Sequence, residues 1–197
     1  PSGLDTLPHS AHLRLLFLGD IVGEPGRKAV AMVLPKIRES RGVDFIVVNG
    51  ENSAGGRGIT PKIAIGLLRA GATVITTGDH IWDQKEIIEY LPTEPRLLRP
   101  INYPSGTPGQ GSIVLETEKG LVAVMNAQGR AFMNPPLENP LLAIDSELTQ
   151  LRRNSEVRMI FLDFHAEATS ETIATGRYFD SRLSAVIGTH THVQTAD

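Results

Sequence analysis

The sequence predicts a layered α/β domain with an antiparallel portion, and three features carry that prediction. Short apolar runs alternate with helical segments, the pattern of a buried, mostly parallel sheet with right-handed crossovers. Midway, the runs Ser112–Glu116 and Leu121–Asn126 flank Thr117-Glu118-Lys119-Gly120, which reads as a hairpin. Strand–helix alternation then resumes. At 197 residues the chain suffices for one well-buried domain and is short for two.

Taken in order, Pro1 to His12 is polar and aperiodic and reads as a flexible leader, leaving 13–197 as the folded domain. A strand over Leu13–Leu18 precedes a helix from about Pro25 to Ser40, with Val30, Val33, Leu34 and Ile37 as its apolar face. Pro25 suits a first helical turn, and Pro35 is expected to bend or shorten the helix. A strand over Phe45–Val48 leads through a Gly-rich loop to a helix from about Thr60 to Arg69. Next come a strand over Thr73–Thr77 and a helix from about Gln84 to Leu91. Pro92 to Pro108 and Asn134 to Pro140 read as irregular loops. Beyond the hairpin lie a helix near Leu141–Arg152, a strand over Arg158–Leu162, a helix near Ser170–Phe179 and a strand over Ser184–Ile187.

Composition narrows the function. A net charge of −3 carries no polyanion footprint, so there is no nucleic-acid signature. No apolar stretch approaches the ~20 residues of a membrane span. The absence of cysteine removes disulfides and thiolate metal sites, and suits a cytoplasmic location. Any metal must be held by imidazole, carboxylate or amide oxygen. Such donors suit iron, manganese or zinc, and composition does not choose among them; two divalent ions are expected, iron or manganese before zinc or magnesium.

The apolar runs end on residues of that kind. Gly19-Asp20, Asn49-Gly50-Glu51-Asn52, Gly78-Asp79-His80, Asp163-Phe164-His165 and Thr189-His190-Thr191-His192 each follow a strand, where ligands of parallel sheets collect. A lone Asp after a strand is ordinarily a turn or cap residue; agreement among five strand ends points instead to a dinuclear metal centre at one edge of a sheet. Carboxylates and imidazoles together suit two divalent cations about 3.5–4 Å apart. Glu51 is the best bridging candidate, since a carboxylate offers two oxygens. His190 and His192 would point the same way if locally extended. His80 directly follows Asp79, so it would stay near the metals without joining them and could contact phosphate or protonate a leaving oxygen. Arg57, in Ala54-Gly55-Gly56-Arg57-Gly58, could meet the same anion. The loop is no Walker A motif, and Ser53, Ser170 and Ser184 lack the setting of a hydrolase nucleophile.

At these residues the chain resembles the YmdB-like branch of the calcineurin-type metallophosphoesterases. The match runs from about Leu13 to Asp197 through Gly19-Asp20-Ile21-Val22-Gly23, Asn49-Gly50-Glu51-Asn52-Ser53-Ala54, Thr77-Gly78-Asp79-His80-Ile81-Trp82-Asp83, Asp163-Phe164-His165-Ala166-Glu167-Ala168-Thr169-Ser170-Glu171 and Gly188-Thr189-His190-Thr191-His192. The resemblance implies a four-layer α/β/β/α sandwich with mixed sheets and phosphodiesterase activity, in some members on cyclic nucleotides. It implies that Asp20, Glu51, Asn52 and His192 hold one metal, and Glu51, Asp79, His165 and His190 the other. His80 would be the acid or phosphate-contacting residue.

Three departures stand out. Val22 occupies the position where the wider superfamily has His, a loss shared by this branch, where Asn52 compensates. Asp79 replaces the usual Asn. Family members continue well past the last His motif, so closing strands and part of the substrate rim are expected beyond Asp197, and unpaired edges would favour a homo-oligomer.

The reading that follows is a phosphodiesterase acting on a small-molecule phosphodiester through attack by a metal-bridging hydroxide. The alternatives are a phosphomonoesterase or nucleotidase using the same centre, and a metal-binding regulatory protein that senses nucleotides with little turnover.

Overall fold

Strand β2 (Phe45–Asn49) shows how the chain divides its apolar side chains, because successive residues of a strand face opposite ways. Ile46 and Val48 pack with Val30 and Leu34 of helix α1 (Gly23–Arg41) and Ala64 and Leu67 of α2 (Pro61–Arg69). Phe45 and Val47 face the other way, onto Val122, Val124 and Phe161. A strand buried on both faces must be apolar throughout, which is why this run does not alternate.

The computed structural model describes residues 12–195; apart from His12, the expected leader lies outside the described residues. β1 (Leu15–Leu18), β2 and β3 (Val74–Thr76) form a parallel sheet in that order. A second sheet has the order β4 (Ser112–Thr117), β5 (Gly120–Gln128), β6 (Val157–Ala166), β7 (Ala185–His190). Its first pair is the expected antiparallel hairpin, and β5, β6 and β7 run parallel. Helices α4 (Pro140–Leu151) and α5 (Thr169–Tyr178) cover its outer face, with Ile144, Leu148 and Phe179 packed on Ala123, Met125, Leu162 and Phe164. Three apolar clusters thus separate four layers, and the sheets stack face to face as α/β/β/α.

Several boundaries differ from expectation. Pro35 does not shorten α1; the helix runs to a Gly42 cap at φ 58°. Pro35 and Ala31, whose carbonyl loses its amide partner, both lie on the exposed face, where that carbonyl is open to solvent. The helix expected after Asp83 shrinks to α3 (Ile87–Tyr90) and one tighter turn over Leu91–Thr93. β6 extends to Ala166, four residues further than expected, because Asn126, Ala127 and Gln128 of β5 keep pairing with Asp163, Phe164 and His165. The strand ends also belong to two sheets rather than one edge, since the second half of the chain builds its own sheet.

The layer between the sheets changes character along its length. Val47, Val74, Val124, Phe161 and Ile187 line it with apolar groups. Two residues later on each of these strands, on the same face, come Asn49, Thr76, Asn126, Asp163 and Thr189, all buried. The polar residues form a floor, and the shared direction of the strands puts the loops that follow directly above it.

Candidate metal centre

The floor is a closed hydrogen-bond network centred on Asp163. Its Oδ2 accepts from the Asn49 amide (2.9 Å) and the Thr76 hydroxyl (2.5 Å), and its Oδ1 from the Thr189 hydroxyl (2.6 Å). Asn126 ties the sheets again, its Oδ1 accepting from Thr77 N–H at 3.1 Å and its amide donating to the Asp163 carbonyl at 3.3 Å. Buried polar groups are tolerable only when paired in this way.

Above the floor the ligand-type side chains converge. One nitrogen or oxygen from each of Glu51, Asp79, His165 and His190 falls within a sphere where all lie within 4.8 Å of one another. His165 Nε2 is 2.7 Å from Glu51 Oε2 and 3.1 Å from Asp79 Oδ1, and His190 Nδ1 is 3.2 Å from His165 Nε2. Asp20, Asn52 and His192 meet beside them, with His192 Nε2 3.0 Å from Asp20 Oδ2 and 3.1 Å from the Asn52 amide nitrogen. The His190 backbone N–H joins the two groups by donating to Asp20 Oδ2 at 3.0 Å.

The extended course expected through His190-Thr191-His192 does not form. His190 (φ 98°) and His192 (φ 56°) both lie in the left-handed region, which side-chain-bearing residues rarely adopt. The resulting bend aims the two rings at different carboxylates. Gly78 has the opposite virtue: a Cβ there would overlap Cδ2 and Nε2 of His165, so only glycine lets β3 and β6 bring Asp79 and His165 together.

Two buried oxygens test whether these residues fit cations. Glu51 Oε2 and Asp20 Oδ1 have no hydrogen-bond partner. Glu51 Oε2 approaches His165 Nε2 closely but outside hydrogen-bond geometry, as two donor atoms do when aimed at a shared centre. An orphaned buried acceptor costs about 1–3 kcal/mol, and more when charged. Divalent cations would remove that cost, and the mixed oxygen–nitrogen donor set suits them. The residues fit.

Electrostatics agree. Among the described residues, the ion-pair partners of Asp20, Glu51 and Asp79 are all histidines. Burial disfavours the His165 imidazolium, yet contacts with Asp79 and Glu51 outweigh it and raise its pKa to about 10. Asp79 also raises that of His190. For Asp79, burial pushes the pKa up, but the His165 and His190 contacts win and carry it far below the carboxylate range. Asp163 moves up to about 6 because desolvation exceeds the effects of His165 and the three donors. The pocket draws in positive charge.

His80 sits at the rim. Its backbone N–H donates to Glu51 Oε1 at 2.7 Å, while its Nε2 lies 3.7 Å from Asp79 Oδ2. Its Nδ1 is 3.1 Å from Asp83 Oδ2, and Arg57 pairs with the same carboxylate at 2.9 Å. Arg57 is therefore held against Asp83 and His80, with its side chain mostly exposed. Ser53, set aside as a nucleophile, is buried and donates to the Gly50 carbonyl.

Sequence reasoning passed over Asp163, Thr189, Asn49 and Glu167 as site residues. A signal existed for the first: Asp163 is two residues before His165 in one strand, hence on the same face. Glu167, whose Oε2 lies 3.1 Å from His190 Nε2, had no such signal because its contact depends on the bend after β7.

Comparison with known proteins matches this architecture. A family model described as YmdB-like protein matches residues 16–197. The chain belongs to the YmdB-like family. It is 48% identical over 185 residues to a 2',3'-cyclic-nucleotide 2'-phosphodiesterase of Bacillus subtilis (strain 168), covering 94% of this chain and 69% of that protein. A crystal structure of a hypothetical protein from Thermus thermophilus superposes with a TM-score of 0.85 at 41% identity, covering 94% of this chain and 70% of the other. That of a novel phosphatase from Mycoplasma pneumoniae gives 0.86 at 32%, covering 94% and 66%. The chain thus spans about two thirds of the length of these relatives, and no helix among the described residues is long and apolar enough to cross a membrane.

Proposed function

We propose that this chain is a metal-dependent phosphodiesterase whose two divalent cations are held by Asp20, Glu51, Asn52 and His192 on one side and by Glu51, Asp79, His165 and His190 on the other. Iron or manganese is the expected pair. The substrate class is a small phosphodiester, with 2',3'-cyclic nucleotides named by the Bacillus relative. The carrying observation is Glu51: wholly buried, clustered with Asp79, His165 and His190, with one oxygen that has no hydrogen-bond partner.

When bound, two such cations would supply Lewis acidity toward phosphoryl oxygen and lower the pKa of coordinated water to about 7. The protein's own residues do the rest. Glu51, Asp79 and His165 are immobilised before substrate arrives, so no reorganisation is needed at reaction. His80 presents Nε2 toward the ligand cluster while Arg57 donates to its Nδ1 at 3.2 Å and Asp83 stands beside that nitrogen, an arrangement that leaves the hydrogen on Nε2 and fits the ring to hand a proton to the departing oxygen or to grip the phosphate. Arg57, paired with Asp83, keeps a cation at the same rim. We place the reaction in the cytoplasm, which suits a cysteine-free chain.

The test combines metal analysis with turnover of a bis-phenyl phosphate and of 2',3'-cyclic nucleotides. Two metals per chain and faster diester than monoester hydrolysis are expected. Asp20→Ala should lower both metal content and turnover; unchanged values would reject the reading. His80→Gln should lower kcat by about 10²–10⁴-fold with metal content intact. A fall in metal content instead would make His80 a ligand.

A further inference from the structure

We infer that Asp163 is a positioning residue of this centre: acting through the Thr189 hydroxyl, it sets which nitrogen of His165 faces the metal. The inference rests on the metal-centre reading, and on geometry that the reading does not use.

Thr189 Oγ1 lies 2.6 Å from Asp163 Oδ1 and 2.8 Å from His165 Nδ1. A hydroxyl has one proton to donate and lone pairs with which to accept. Asp163 already accepts from Asn49 and Thr76 at its other oxygen, so its environment is built from donors. The Thr189 proton therefore goes to Asp163, and the Thr189 oxygen is left to accept from His165. That assigns the hydrogen to Nδ1 of His165 and frees the Nε2 lone pair, which is the atom 2.7 Å from Glu51 and 3.1 Å from Asp79. The other tautomer would put a hydrogen at the ligating position and leave Nδ1 facing a hydroxyl with no proton to give.

The neighbouring ring makes the choice matter. His190 stands edge-on to His165 at 4.8 Å between centroids and turns the opposite nitrogen inward, Nδ1, with Nε2 held outward by Glu167. Two adjacent imidazoles thus use different nitrogens, and bulk tautomer preference cannot satisfy both. Outer hydrogen-bond partners commonly orient metal-bound histidine in this way. Asn49 also donates to Thr189 Oγ1 at 3.4 Å, so Thr189 shares in the stitch between the sheets; what a purely structural role would not require is the 2.8 Å contact from the same oxygen to His165 Nδ1.

Nitrogen-15 NMR of the zinc-loaded wild-type protein reads the tautomer directly. Coordination through His165 Nε2, with a retained and exchange-protected Nδ1–H, is expected; coordination through Nδ1 overturns the inference without any variant. Thr189→Val keeps the side-chain shape and removes the relay, so zinc affinity by chelator competition should fall about 10–100-fold, with Thr189→Ser restoring it. A folded Thr189→Val protein with wild-type affinity would also overturn it. Wild-type protein that binds no zinc rejects the metal reading itself, and the relay with it, whereas normal zinc binding with the wrong nitrogen rejects the relay alone.

Discussion

His165 and His192 stand at opposite extremes of one site. The His165 side chain is wholly buried in mid-sheet, braced by Thr189 beneath and by Glu51 and Asp79 above. The His192 side chain is 44% exposed, lies past the end of β7 in a left-handed conformation, and touches Asp20 and Asn52. Strand-borne ligands are positioned by packing that exists without metal; loop-borne ligands are positioned largely by the metal and by each other. The buried half should therefore bind tightly and exchange slowly, and the open half should admit substrate and exchange its cation readily.

The strongest way to break this contrast is Gly78→Ala. A Cβ that overlaps Cδ2 and Nε2 of His165 must displace the ring. Overpacking of that kind costs about 1–3 kcal/mol or more. Metal content of the buried half and melting temperature should fall together. An unchanged metal content would show that the buried half adapts as easily as the open one.

His192→Ala should act more narrowly. Stoichiometry should drop from two metals toward one while melting of the metal-free protein stays within about 0.5 kcal/mol of wild type, as for exposed substitutions. Equilibrium dialysis and thermal melting separate the two effects. Loss of both metals would mean that the halves are not independent.

Chelated protein offers a test by pH. His165 has a folded pKa of about 10, above its ordinary value near 6.5, so its stabilising contribution is complete below that value and drains away as pH rises through 10. Asp163, raised to about 6, favours its protonated folded form, and that contribution is lost on passing from the ordinary carboxylate range through pH 6. Asp79, lowered, contributes above the ordinary carboxylate range and loses it only in strong acid. Melting temperature without metal should thus decline from about pH 6.5 to 10, and metal loading should flatten that decline because a cation takes the proton's place. A rise across the same window would contradict the charge balance described for the buried half.

The smallest effect is expected from Glu167→Gln. Glu167 is half exposed and meets His190 from outside, so metal affinity should weaken toward the low end of the ~10–100-fold range for outer partners. A loss equal to that of Thr189→Val would place the two relays on the same footing despite their different burial.

Much of the candidate ligand set is legible in the linear sequence. Asp20, Glu51, Asp79, His165 and His190 stand out because apolar runs end at them, and strand ends are where parallel folds gather polar groups. The floor is not legible there. Asn49, Thr76, Asn126 and Thr189 look like the ordinary fading of apolar runs, and their partners lie far along the chain, 114 residues away for Asn49 and Asp163. The course of His190-Thr191-His192 escapes for the same reason, since extended backbone is the local default and the bend answers to Asp20, which lies 170 residues from His190.

The sequence by itself determined the order of strands and helices, the hairpin and the inventory of ligand-type residues at strand ends, because side-chain alternation and turn chemistry act over a few residues. Tertiary structure alone decided that the strands divide into two stacked sheets, that five polar residues meet at one level between them, and which nitrogen each imidazole turns inward. Those outcomes depend on register and stacking between distant segments, where a shift of one residue would send Asp163 and His165 to the opposite face.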